Sequence, residues 1–341
     1  MHNFSNILAC YAIESKGTNV TPFGSGLIHE TFLVETLQAK YILQKVNTNV
    51  FRQPEVIASN IGQASAYLSL HYPDYVFPGL IQTADDQNLL YDGLDCWKLS
   101  AFIANTYTQN KPSSPEIAYQ GARAFALLTK NLQNLPMQNI GETIPDFHNL
   151  TFRYTQFLEA LNHAIPDRLL TSKTLINQAL EQKHLVETYT NIVADHNYPI
   201  RMIHHDTKIN NVLFDKTSQQ SVAVCDLDTL MKGRIISDLG DIIRTYACSQ
   251  DENHIQPSEV FIQKEYLEAC HAGYLNVLGP ILCPAEIQQV DFAGQFMIYM
   301  QAIRFLSDYL TGDTYYGKQY PEHNFDRAAN QFALLRSLQE L

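Results

Sequence analysis

Apolar positions repeat with a period of two in several stretches of the first hundred residues, and with a period near 3.6 in most of the remaining chain. Residues 3–11 form a short helical pattern. Residues 20–34 then read as strand, glycine turn and strand, with Gly24 and Gly26 in the turn. A third strand is predicted over 40–46 and a helix over 53–70, where Val56, Ile57, Ile61 and Leu68 share one face. Two short strands at 79–83 and 88–91 and a longer one at 96–103 complete a five-stranded antiparallel unit with one helix. From Ser114 onward the pattern is helical, over 117–132, 151–164 and 172–194. No repeat or low-complexity linker separates the halves, so the expectation is an α+β, two-lobed chain divided into 1–103 and a mainly helical 104–341.

One stretch breaks the helical run. Residues 201–213 pass from an apolar strand into His204-His205-Asp206-Thr207-Lys208-Ile209-Asn210-Asn211 and on to Val212-Leu213. Residues 222–228 form a second strand that ends Asp226-Leu227-Asp228. The apolar residues at 212–214 and 222–224 flank a polar turn and pair as an antiparallel hairpin, with Asn211 opposite 224–226. The spacing His204-x-Asp206-x-x-x-x-Asn211 is similar to the catalytic loop of protein kinases. In that reading Asp206 accepts the proton of the attacking hydroxyl, and Asn211 and Asp226 supply hard oxygen ligands suited to Mg²⁺. Lys208 is either a cation near the transferred group or a solvated loop lysine. A rival reading makes His204, His205 and Asp206 the ligands of a phosphohydrolase metal. It is disfavoured because adjacent side chains point apart.

The same reading gives the first lobe a nucleotide-binding role. Gly24, Ser25 and Gly26 would let backbone N–H groups approach a phosphate, although two glycines in a hairpin are also ordinary turn chemistry. Lys45 ends the third strand, where it either grips the phosphates, paired with Glu55, or is a solvated strand-end lysine. Residues 99–102, with Leu99 and Phe102, are placed at the hinge that meets the adenine edge.

Composition narrows the classes. A net charge of −12 with 23 dispersed Lys and Arg argues against a nucleic-acid partner. No apolar run approaches the ~18 residues of a membrane span and no basic-then-apolar leader opens the chain, so a soluble cytoplasmic protein without a membrane partner is expected. The six cysteines have no paired spacing, and reduced structural thiols fit them best. At 45% hydrophobic residues the chain has enough material for a substantial core. Its oligomeric state stays open, and a monomer is compatible with this composition.

The stretch from Asp226 to Arg244 carries a more specific likeness. Asp226-Leu-Asp228 stands where protein kinases have Asp-Phe-Gly, Ser237-Asp-Leu-Gly-Asp241 opens a helix, and neither an activation loop nor Ala-Pro-Glu follows. In these features the chain resembles the aminoglycoside phosphotransferase and choline kinase family, which has a protein-kinase-like fold and small-molecule acceptors. Within it the chain resembles the N-acetylhexosamine 1-kinases, through Tyr41-Ile-Leu-Gln44, Asn47-Thr-Asn-Val-Phe51, Arg304-Phe-Leu-Ser-Asp-Tyr-Leu-Thr-Gly-Asp313 and Tyr320-Pro-Glu-His-Asn324.

That resemblance implies ATP and Mg²⁺ as cofactors and a small sugar as partner, phosphorylated at its anomeric hydroxyl. It implies Asp206 as the catalytic residue, with Arg304, Tyr315 and His29 about the sugar, and Arg304 could alternatively pair with Asp308. Asp228 either completes the metal site with Asn211 and Asp226 or caps locally. Asp241, with His204, supports the loop. Leu27 and Thr245 depart from the family, which has histidine and an aromatic residue there, and this leaves the preferred hexosamine open. The alternatives are another small alcohol, such as an aminoglycoside, choline, homoserine or a different sugar, or a nucleotide-binding pseudokinase.

Overall fold

The computed structural model describes residues 2–24 and 28–341, so the expectations for Ser25, Gly26 and Leu27 lie outside the described residues. In chain order the first elements are α1 (Phe4–Cys10), β1 (Asn19–Pro22), β2 (Glu30–Glu35), β3 (Lys40–Val46) and α2 (Pro54–His71). Four strands follow: β4 (Leu80–Ile81), β5 (Leu90–Asp92), β6 (Asp95–Ala101) and β7 (Thr106–Tyr107). Helices α3 (Pro115–Asn131), α4 (Leu150–Asn162), α5 (Pro166–Thr171), α6 (Lys173–Glu181) and α7 (Lys183–Ala194) come next. Strands β8 (Arg201–Ile203), β9 (Val212–Asp215), β10 (Ser221–Val224) and β11 (Met231–Gly233) then lead to α8 (Ile235–Tyr246). The chain closes with α9 (Lys264–Leu278), α10 (Pro284–Ile287), α11 (Val290–Leu310) and α12 (His323–Gln339). No helix among the described residues is long and apolar enough to cross a membrane, and all six cysteines are free thiols.

Two compact units emerge. The first comprises residues 1–108, 131–145 and 211–232, and the second comprises 109–130, 146–210 and 233–341. The chain therefore passes from one unit to the other between Asn210 and Asn211, inside the motif loop, and returns after Lys232.

The first unit is built on an antiparallel sheet in the order β1-β2-β3-β6-β4, with β5 also paired to β6. It has six strands rather than five: each of the segments expected at 20–34, 40–46, 79–83, 88–91 and 96–103 contributes, and the two short ones both pair with β6. Alternation sorts its side chains: Leu43, Trp97 and Leu99 join Ile7 and Leu8 of α1 in one buried cluster. Burying side chains of this size contributes about 1.5–3 kcal/mol each. On helix α2, Asn60 bonds Gly141 in both directions and donates to the Leu230 carbonyl at 2.9 Å, which ties 131–145 and 211–232 into the same unit. Strands β9 and β10 pair antiparallel as their patterning predicts, with Val224 opposite Val212 and an irregularity between Ser221 and Ala223.

The second unit is helical and centred on α11, which is buried along almost its whole length. Helix α8 crosses it so closely that a Cβ at Gly240 would lie 2.3 Å from the Ala293 carbonyl oxygen, which accounts for the glycine in Ser237-Asp-Leu-Gly-Asp241. The single helix expected over 172–194 is divided into α6 and α7, with Gln182 capping the end of the one and the start of the other.

Candidate active site

In the second unit the catalytic-motif loop is held by its backbone. The Asp238 carboxylate accepts the N–H groups of His204 at 2.9 Å and His205 at 2.8 Å, one on each oxygen. One helical turn on, Asp241 accepts the Thr207 N–H at 2.9 Å. Tyr246 donates to the Thr207 carbonyl at 2.8 Å. Three residues of α8 thus fix the loop across 204–207, and the arrangement explains a left-handed backbone at His205, φ 67°, which a non-glycine residue adopts only when its surroundings enforce it. Burial pushes the Asp238 carboxyl up to about 6 in spite of the two N–H donors. Asp241 also receives Arg244, whose guanidinium is shared with Glu252 at 3.1 Å. His204 is fully buried, edge-on to Phe125.

The chemistry-bearing side chains of this loop remain near solvent. Asp206 is half-buried, and Lys208 reaches its Oδ1 at 3.3 Å. The carboxylate holds the Lys208 ammonium above its ordinary range. Asp238 is the residue that sequence reasoning passed over: the Ser-Asp-Leu-Gly-Asp segment was recognised, but only its second aspartate was given a supporting role.

In the first unit, Asn211 is buried at the start of β9 and its carbonyl accepts the Cys225 N–H at 2.8 Å. Asp226 is exposed and left-handed, φ 58° and ψ 58°, between β10 and a 3-10 turn over Leu227–Thr229. Asp228 is buried in that turn. Its Oδ1 takes the ammonium of Lys98 on β6, and its Oδ2 lies 2.6 Å from His29 Nε2. His29 Nδ1 accepts the Asn47 N–H at 2.9 Å, so the ring hydrogen sits on Nε2 and is donated to Asp228. The ring stacks on Phe51 at 5.3 Å. Burial alone would raise the Asp228 carboxyl, yet Lys98 and His29 hold it well below the usual range.

Three expectations change here. His29, grouped with the sugar-binding residues, anchors Asp228 with both of its nitrogens engaged. Asp228, grouped with the metal ligands, has each oxygen taken by a protein N–H donor. Lys45 pairs with Asp95 at 3.0 Å and Glu30 at 3.4 Å, while Glu55 accepts the Tyr91 hydroxyl. The sheet's alternation explains the last: Lys45 stands opposite Trp97, while Gln44 stands opposite Lys98 on the other face. The signal for Lys98 was a lone lysine in the apolar strand Cys96-Trp-Lys-Leu99.

Leu99 is a core residue of β6, paired with Leu43 and Ile81 on either side, so the strand ends only at Ala101 and the following segment begins at Phe102. Gly24 has φ +77°, and no atom of the described residues lies within 4 Å of where a Cβ would stand. Asp226 and Asn211 offer carboxylate and amide oxygens, the donor types that Mg²⁺ prefers. No group of three or more His, Cys, Asp or Glu able to hold a metal occurs among the described residues.

Arg304 and Tyr315 border one cavity of about 440 Å³ in the second unit, together with Arg153, Asp308 and Tyr316. Arg304 donates to Gln301 at 3.2 Å, and its guanidinium lies 5.4–5.8 Å from the ring centres of Phe147, Tyr315 and Tyr316. The alternative pairing of Arg304 with Asp308 does not form. Asp308 instead accepts the N–H groups of Tyr315 and Tyr316 at 2.8 Å each, and Asn324 donates to Asp308, Asp313 and the Gly317 carbonyl. The segments 304–313 and 320–324 are therefore the frame of the loop that presents Tyr315. Thr245 donates its hydroxyl to the Asp241 carbonyl at 2.7 Å.

Residues 19–258 match the phosphotransferase enzyme family (APH). The chain belongs to that family. Among solved structures it is similar to a microcompartment-associated aminopropanol kinase, with a TM-score of 0.70 and 17% identity over 99% of this chain and 97% of the other. A choline/ethanolamine kinase family protein from Mesorhizobium loti gives 0.62 and 16% over 99% and 95%. Spectinomycin phosphotransferase in complex with ADP and spectinomycin gives 0.58 and 12% over 99% and 97%. The family's α+β protein-kinase-like fold is the fold of this chain.

Proposed function

We propose that the chain is an ATP- and Mg²⁺-dependent kinase that phosphorylates the anomeric hydroxyl of an N-acetylhexosamine. The cavity bordered by Arg153, Arg304 and Tyr315 carries this reading. Its volume falls within the roughly 300–1,000 Å³ of small-molecule sites. Its character is that of a donor-rich pocket: burial, and Arg304 nearby, hold the Arg153 guanidinium below its ordinary range, and neither arginine has a carboxylate partner among the described residues. Asp308 is saturated by N–H donors, and the ring faces already lie beside a guanidinium. Such a pocket suits acceptor hydroxyl and acetamide oxygens, and its lining also includes the Glu159 carboxylate.

In the reaction Asp206 accepts a hydrogen bond from the acceptor hydroxyl, orients its oxygen and takes the proton late. Asp238 and Asp241 keep its loop in place. Asn211 and Asp226 would hold Mg²⁺, which supplies charge neutralisation to the phosphates. Lys208 adds positive charge beside Asp206.

The test is ADP release from ATP and Mg²⁺ with N-acetylglucosamine, N-acetylgalactosamine, glucose, galactose, choline, kanamycin, homoserine and 1-amino-2-propanol. Turnover with an N-acetylhexosamine, and a tenfold or larger rise in its KM for Arg304→Met, are expected. Turnover confined to the amines would replace this reading with an amino-alcohol kinase, the second reading favoured by the likeness to the aminopropanol kinase. ADP release with none of the acceptors would leave the pseudokinase reading.

A further inference from the structure

We propose that Lys98, on β6, is the lysine that holds the nucleotide phosphates in this chain, in the role expected of Lys45 on β3. The inference rests on the nucleotide-dependent reading above. A triphosphate brings several negative charges that need a fixed cation, and the sheet of the first unit carries three lysines, Lys40, Lys45 and Lys98. Lys40 is half exposed and pairs with Glu35 at the far end of β3. Lys45 shares a sheet face with Trp97, and its ammonium is divided between Asp95 and Glu30. Lys40 shares its sheet face with Lys98, but of the three only Lys98 reaches the Leu227–Thr229 turn, where it meets the carboxylate two residues beyond Asp226.

The surroundings of Lys98 are those of a cation held ready. It is 4% exposed on a central strand paired on both sides, so its stem has little freedom left to lose on binding. Among the described residues Asp228 is its one ion-pair partner, which leaves ammonium hydrogens to donate elsewhere. Asp228 is itself steered by His29, and His29 by the Asn47 N–H and Phe51, so the position of the ammonium is set through four residues. A buried pair of opposite charges recovers little net stability once desolvation is counted, so stability alone is a weak reason to keep a lysine on this strand. Register makes the relocation geometrically small. Gln44 and Lys98 are direct cross-strand partners, so Lys98 stands on the adjacent strand within one residue of the level of Lys45, on the opposite face of the sheet.

The experiment is calorimetric titration of ADP and, separately, of adenosine into the wild type and into Lys98→Met, Lys98→Arg, Lys45→Met and the double variant Lys98→Met/Asp228→Asn, with thermal melts of each. The double variant removes both buried charges, so a folded protein is available even if Lys98→Met alone unfolds. We expect both Lys98→Met proteins to bind ADP at least tenfold more weakly and adenosine within about twofold of wild type. Lys98→Arg should fall between, and Lys45→Met should match wild type. ADP binding unchanged in the double variant, or equal losses for ADP and adenosine, overturns the assignment while the wild type still binds ADP. A wild type that binds no ADP overturns the nucleotide-dependent reading itself, and the assignment with it.

Discussion

The two units both bury aspartates beside their motif residues, but Asp228 in the first and Asp238 in the second are satisfied in opposite ways. Asp228 in the first unit is held by side-chain cations and donors, Lys98 and His29. Asp238 in the second is held by the backbone N–H groups of residues 204 and 205, while Asp241 combines the Thr207 N–H with the Arg244 guanidinium. A side-chain cluster depends on charges that a ligand can share or redirect. A backbone-held carboxylate instead acts as a fixed template, since its donors cannot leave without the loop changing shape. The contrast matches the phosphate-holding role proposed for Lys98 in the first arrangement and a positional role for the second.

The sharpest test of that division is Asp206→Asn. Because the loop is held by Asp238 and Asp241, the substitution should leave the melting temperature within about 2 °C and lower kcat by on the order of 10³ or more. A large loss of stability would mean that Asp206 is part of the scaffold. Asp241→Ala comes next. It strands the Thr207 N–H and one side of Arg244, and should cost on the order of 2–4 kcal/mol in denaturant unfolding. A loss below about 1 kcal/mol would contradict the template role.

A smaller effect separates the two kinds of carboxylate by pH. Asp238 titrates near 6 in the folded protein, above its unfolded value, so the folded state binds the extra proton and stability falls as pH rises from about 4 to about 6. Asp228 is depressed, so its contribution is present above about 4 and is lost as pH falls below that. Denaturation midpoints across pH 3–7 should lose the first slope in Asp238→Asn and the second in Asp228→Asn. Identical profiles in the two variants would erase the distinction. The smallest effect is Gly24→Ala, about 1 kcal/mol or less from the left-handed φ, with open space for the methyl group.

Periodicity made most of the fold readable. The hairpin over 212–224 followed from two apolar runs and a polar turn, and helices α3, α4, α6 and α7 from 3.6-residue spacing. The division of 172–194 into α6 and α7 was not readable, because the break at Gln182 has neither glycine nor proline to mark it. In the candidate site, motif spacing led to Asp206, Asn211 and Asp226, since those residues are close in sequence. The Lys98–Asp228–His29 cluster joins residues up to 199 positions apart, and no local pattern announces such a partnership. Lys45 and Leu99 each lie one step, on the opposite face, from the Gln44–Lys98 pair, a difference that strand alternation hides in the sequence. The frame at Asp308, Asp313 and Asn324 was visible as a sequence block, but its purpose as a loop scaffold emerged only from the hydrogen bonds that converge on it.

The left-handed backbone at Asp226 bears on how this chain should be probed. Asparagine, which tolerates that conformation, changes the charge there while leaving the main chain undisturbed, whereas alanine changes the charge and strains the backbone together. An alanine scan across Asp226-Leu227-Asp228 would therefore report folding defects as though they were lost chemistry. At this position the amide is the clean control, and a residue usually chosen as the neutral reference is the confounded one.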